Sequence, residues 1–281
     1  MADEGPILET RVVRPAAAAA PGATGRAFTV GRVVSRTLSA WWRHVGAFTL
    51  VSFAVYAPLS ALMGTFFGFA LDAPPRGAPG GAFLARVGIA FASVWVVTVV
   101  LAVVQAGAVT HATVRHLNGE GASLQEMLAT GLRCAPRVVL TGALVWLAVI
   151  AGWLLLVVPG VIVMVATSLA LPATVVERPG ARGAFRRSLA LTRGHRWPLF
   201  AAGIAVLAVV WALAAVVQVG ATVAVGLVLP PRFAMAALLV SSQLGNAVLS
   251  PLPLVALAVA YHDLRVEKEG LDTGTLARVF E

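Results

Sequence analysis

The chain has 281 residues, 59% apolar and only 12% charged, about half the charged share of a typical soluble domain. Its formal charge of +9 does not point to nucleic acid, because the basic residues flank long uncharged stretches instead of covering a soluble face. Cys134 is the single cysteine, which excludes a disulfide framework and a thiolate metal cluster.

In chain order, residues 1–27 open acidic, Met1-Ala2-Asp3-Glu4, where a signal peptide is basic. The run Ala16 to Ala20 is too short for an h-region. With Pro15, Pro21 and Gly22 around that run and no aromatic residue, this segment is expected to be a disordered cytoplasmic leader. Next, Val30, Val34, Leu38, Trp41 and Val45 form one apolar stripe at helical spacing, with Arg32, Arg36 and Arg43 off it. Such a helix suits the membrane interface, and Trp41 and Trp42 suit the headgroup level. Two uncharged stretches follow, Gly46 to Leu71 and Val87 to Thr110, each long enough to span roughly 30 Å of hydrocarbon.

Ser123-Leu124-Gln125-Glu126 is a capping-box pattern that opens a second amphipathic segment, with Leu124, Met127, Leu128 and Leu132 on its apolar face. The uncharged stretch Val138 to Val176 would run about twice the hydrocarbon thickness as one helix, so it must break. Pro159-Gly160 is the turn signal near its middle, which predicts a hairpin of Val138–Val158 and Val161–Val176. A third amphipathic segment runs from Gly183 to Thr192, with Gly194 placed to end it and Pro198 to open the next span. The last spans are Pro198 to Leu229 and Phe233 to Tyr261, joined by Pro230-Pro231-Arg232.

The predicted fold is therefore an all-α integral membrane protein with about six transmembrane helices in three hairpin repeats. Each repeat is preceded by a cytoplasmic amphipathic interfacial helix. Residues 28–265 form the membrane domain and residues 266–281 a short cytoplasmic tail. On this arrangement all of the 21 basic residues except Arg76, Arg86 and Arg232 fall on one side, which places both termini in the cytoplasm by the positive-inside rule.

Three stretches carry a family resemblance: Leu155-Leu156-Val157-Val158-Pro159-Gly160, Ser168-Leu169-Ala170-Leu171-Pro172 with Glu177, and Arg187-Ser188-Leu189-Ala190-Leu191-Thr192-Arg193-Gly194-His195-Arg196-Trp197. Together with the ending Tyr261-His262-Asp263-Leu264-Arg265 they resemble the bacterial membrane-protein group named for the glycerophosphoryl diester phosphodiesterase membrane domain, and its relatives of unknown function. The resemblance covers roughly residues 28–270 and implies a bacterial inner-membrane location. It implies no hydrolytic activity, because that activity belongs to a separate soluble domain for which this chain has no room.

The candidate functional residues fall in two groups. Arg186, Arg187, Arg193, His195, Arg196 and Trp197 form a basic segment expected to contact lipid headgroups, anionic ones in particular. Arginine can donate two hydrogen bonds to one phosphate. Gln218, Ser242, Gln243 and Asn246 form an intramembrane polar face, expected to meet protein or a water-filled cavity because unsatisfied amides in hydrocarbon are costly. The five histidines, His44, His111, His116, His195 and His262, sit at predicted span ends. Interfacial anchoring is favoured for them over a metal or acid/base site with Glu177 and Asp263, since no pair has a metal-binding helical spacing. No ionisable residue lies deep in a span, which argues against an ion-coupled pump. The expectation is a non-enzymatic membrane protein without cofactor that interacts with lipid or a membrane partner, the alternative being a permease or lipid transporter using the polar last span.

Overall fold

The computed structural model describes residues 28–71 and 80–269. The predicted leader, the loop after Leu71 and the tail from Gly270 onward lie outside the described residues. Among those described there is no strand. The helices are α1 (Val30–Arg43), α2 (Val45–Leu71), α3 (Gly80–Leu117), α4 (Leu124–Leu155), α5 (Val157–Thr167), α6 (Ala170–Val176), α7 (Ala181–Thr192), α8 (Arg196–Val228), α9 (Pro231–Leu249) and α10 (Pro251–Glu269).

Among the described residues, five helical stretches are long and apolar enough to cross a membrane: Phe83–Leu117, Leu124–Leu155, Val157–Val176, Arg196–Val228 and Ala237–Glu269. The predicted first span is the helix α2, where Val45–Pro58 is a shorter apolar stretch by the same measure. Sequential helices pack on each other within the pairs α2/α3, α4/α5 and α8/α9.

Three local features differ from the sequence expectations. The hairpin between α4 and α5 turns at Leu156, which alone is extended (φ −176°, ψ 162°), and Pro159-Gly160 lies inside the first turn of α5. Proline is tolerated there because a first-turn N–H has no intrahelical partner. Glycine has a packing role instead of a turning one: a Cβ on Gly152 would stand 3.0 Å from the Gly160 Cα, so the two arms meet backbone to backbone. The second amphipathic segment is not a separate helix but the start of α4. Its capping box forms as expected, Ser123 accepting from the Glu126 N–H while the Glu126 side chain accepts from the Ser123 N–H. The last predicted span stays one stretch long enough to cross, Ala237–Glu269, but its hydrogen-bond ladder is interrupted after Ser250, because Pro251 and Pro253 each lack the N–H that would continue it.

Helix α1 packs on α10 and α8, with Trp41 of the predicted stripe buried and Val30, Val34 and Leu38 half-buried. Val33, Thr37, Ala40 and Trp41 are its buried residues, and the Trp41 indole donates to the Val248 carbonyl at 3.0 Å. The main core joins α1 to α7 and to the nearer ends of α2, α3, α8 and α10 through Phe48, Val109, Leu191, Leu199 and Val255. α3 and α4 cross so closely that a Cβ on Gly131 would lie 2.5 Å from the Val104 carbonyl oxygen.

Candidate functional site

The predicted basic segment is the end of α7, a short turn and the start of α8. Gly194, at φ +88°, adopts a left-handed conformation that glycine takes without steric cost, and this reverses the chain between Arg193 and Arg196. Lys268 of α10 holds the turn from below, its ammonium donating to the carbonyls of Ala190 at 2.8 Å and Arg193 at 2.7 Å. His195 points into the protein: its Nε2 lies 3.3 Å from Glu267, and the Phe28 ring meets it edge-on.

The structure divides the six predicted residues. Arg193, Arg196 and Trp197 line a cavity of about 810 Å³ together with Leu189, Phe200, Val161 and Val165. Trp197 is 77% exposed, and Arg186, Arg193 and Arg196 are exposed without an acid partner among the described residues. Arg187 and His195 are not available to a ligand. The Arg187 guanidinium pairs with Glu177 at 2.9 Å and with Glu269. Burial opposes its charge, but the hydrogen bonds to Glu269 and Glu177 prevail and raise its pKa.

Around Arg187 an ionic cluster closes the basic end. The Tyr261 hydroxyl donates to Glu177, Arg265 lies 3.1 Å from Glu269 and 3.9 Å from Glu177, and Arg36 of α1 pairs with Asp263 of α10. Sequence reasoning placed Glu177 and Asp263 near the histidines as candidate metal or proton ligands. The structure gives both to arginines, and among the described residues no three histidine, cysteine or carboxylate side chains converge as a metal site.

Directly beside the rim cavity lies a second one of about 220 Å³. It is lined by Val33 of α1, Met164, Val165 and Ser168 at α5, Phe200, Gly203 and Leu207 of α8, and Ala256 and Ala260 of α10. Val165 and Phe200 border both. Its one polar side chain, Ser168, donates to the Val165 carbonyl at 2.9 Å.

Of the predicted intramembrane polar face, Gln218, Ser242 and Asn246 line one cleft of about 420 Å³ between α8 and α9, with Trp211 and Gly245. Gln243 is not part of it. Sequence reasoning missed a different polar node: Gln105 of α3, 4% exposed, donates at 2.9 Å to Ser52 of α2 and at 2.9 Å to Ser250 between α9 and α10. The signal was present, since Gln105 is the one amide in the stretch Val87 to Thr110. Also missed was the pair His44 and His116, whose ring nitrogens are 3.0 Å apart. Burial, and then the Arg43 charge, lower the His44 pKa below its ordinary value.

Long apolar helices, five of them among the described residues able by length and composition to cross a membrane, are joined at one end by a cluster of arginines and carboxylates. The chain belongs to the family described as a domain of unknown function, DUF7847, whose model matches residues 89–264, from within α3 to within α10. That match shows a family of unknown function, and it does not show the phosphodiesterase membrane-domain group. No curated protein and no solved structure matches the chain.

Proposed function

We propose that this protein is a non-enzymatic, multi-pass protein of the bacterial cytoplasmic membrane that holds anionic lipid at its basic end. In this reading the chain crosses six times, α2 being the first crossing, and both termini are cytoplasmic. The observation that carries it is the rim: Arg193 and Arg196, without acid partners among the described residues, share one cavity with an exposed indole and an apolar floor. Cationic side chains beside an anionic leaflet contribute about 1 kcal/mol each, and indole sits at the headgroup level.

The test replaces Arg193 and Arg196 by Gln, confirms unchanged topology with reporter fusions, and measures phosphatidylglycerol and cardiolipin retained on purification. Losing two such cations lowers affinity for anionic lipid by roughly thirtyfold. Equal retention in both proteins, insensitive to raised salt, would leave the arginines as orientation signals only.

One observation favours a second reading, a permease or lipid transporter: Gln218, Ser242 and Asn246 share a single cleft. Flux through reconstituted vesicles that disappears in Asn246→Leu would favour it.

A further inference from the structure

We propose that the rim and the slot beside it are one site, holding a single phosphate-headed lipid whose acyl chain lies between α5 and α8 and against α1 and α10. This rests on the reading of Arg193 and Arg196 as a headgroup site. It goes beyond that reading by placing the tail and fixing one lipid per chain.

Four features carry it. The two cavities lie side by side, with Val165 and Phe200 lining both, so the lining passes from the guanidinium groups through these two side chains to Ala256 and Leu257. Polarity falls along that path, from two arginines at the mouth to a slot whose single hydroxyl, on Ser168, already donates to a backbone carbonyl. That gradient matches an amphiphile and not a free phosphate, which would leave the slot empty. The slot is open sideways, since Met164, Ile204 and Leu207 on its edge are among the exposed large apolar side chains. A chain can therefore enter from the bilayer without unfolding a helix. Finally, the site is built before the ligand arrives: Val33, Ala202 and Val206 form a buried floor, and Lys268 and the His195–Glu267 contact fix the turn that presents the arginines. Preorganisation of this kind lowers the ordering cost of binding.

Gly203 supplies the test. It lines the slot, and a Cβ added there meets nothing within 4 Å, so Gly203→Phe places a ring at the slot without displacing a neighbour at Cβ and leaves the rim residues unchanged. Gly203→Leu is the smaller companion should the phenylalanine variant fold poorly. Full-length proteins are reconstituted in nanodiscs of phosphatidylglycerol and phosphatidylcholine, extracted in mild detergent, and examined by native mass spectrometry. The wild type is expected to retain one phosphatidylglycerol per chain. The slot-filled variant loses that species by about tenfold or more, because the tail no longer finds an apolar surface. The variant with Gln at 193 and 196 still retains one lipid but no longer prefers phosphatidylglycerol. Wild-type retention in both Gly203 variants, with loss in the arginine variant, overturns the slot and leaves the rim. No loss in either overturns both, as does a wild type that retains no discrete one-to-one species.

Discussion

At the basic end, α10 reaches α1 through Asp263, α7 through Glu269, the turn after α7 through Glu267 and Lys268, and the end of α6 through Tyr261. In the opposite half burial thins out: α8 has no buried residue beyond Val206, and in α4 only Gly152 is buried after Thr141. The apolar side chains there, Leu154, Val223 and Leu227 among them, are exposed. In the proposed membrane setting the difference reflects the solvent each half meets. Lipid tails are as apolar as leucine, so helices in hydrocarbon gain little by hiding apolar surface from it, and van der Waals packing with a few hydrogen bonds must suffice. Where the helices emerge, charges can pair in a partly dry setting, and their geometry decides which helix sits beside which.

The comparison breaks most directly at Arg187. Arg187→Met leaves Glu177 with the Tyr261 hydroxyl and Arg265, and Glu269 with Arg265. Removing one partner of a fully buried pair costs about 3–5 kcal/mol. Here the Arg187 and Glu177 side chains are 26% and 23% exposed, so solvent screens part of the loss and about 2–3 kcal/mol is expected. Arg186→Met, on the same helix but exposed, should change stability by no more than about 0.5 kcal/mol. Unfolding of both variants in detergent checks this, and equal destabilisation would mean that the cluster holds no more than the surface does.

Hydrophobic spacing made the helices legible in the sequence because it follows from geometry a single residue can report. The capping box at Ser123 and the helix end at Gly194 both depend on neighbours within a few positions. What the sequence did not reveal depends on distant partners. Pro159-Gly160 carries the composition of a turn, yet the chain turns at Leu156, because the close meeting of Gly152 and Gly160 fixes where the arms pack. Arg187 and Arg193 look equivalent in sequence. The arrival of Glu177 from the end of α6 and Glu269 from α10 makes Arg187 a structural ion, while Arg193 has no acid partner among the described residues.

A middle-sized effect sharpens the comparison from the apolar side. Gln105→Leu removes the donor that joins Ser52 and Ser250. Hydrogen bonds between membrane helices contribute about 0.6 kcal/mol on average and about 1.7 at most, so the variant should lose about 1 kcal/mol in the same unfolding measurement. A loss equal to that of Arg187→Met would erase the distinction between the halves.

The smallest effect is expected at the joint between α1 and α2, where His44 meets His116 from the end of α3. With its pKa lowered by burial and by Arg43, folded His44 holds its proton less tightly than the unfolded chain does. Above the unfolded value, near 6.5, both states are neutral and stability does not change with pH. As pH falls through that value the unfolded state gains the proton first, so stability is lost down to the folded pKa, below which no further change comes from this ring. The loss is compounded because two protonated rings cannot keep the hydrogen bond, which needs one nitrogen to accept. His44→Phe can keep packing on Phe48, whose ring lies 5.9 Å from the imidazole, and removes this titration. Between about pH 7.5 and 5.5, a range that spans the ordinary histidine pKa, the unfolding midpoint should fall less in His44→Phe than in the wild type. Equal falls in the two proteins would show that the histidine pair does not couple protonation to the seating of α1.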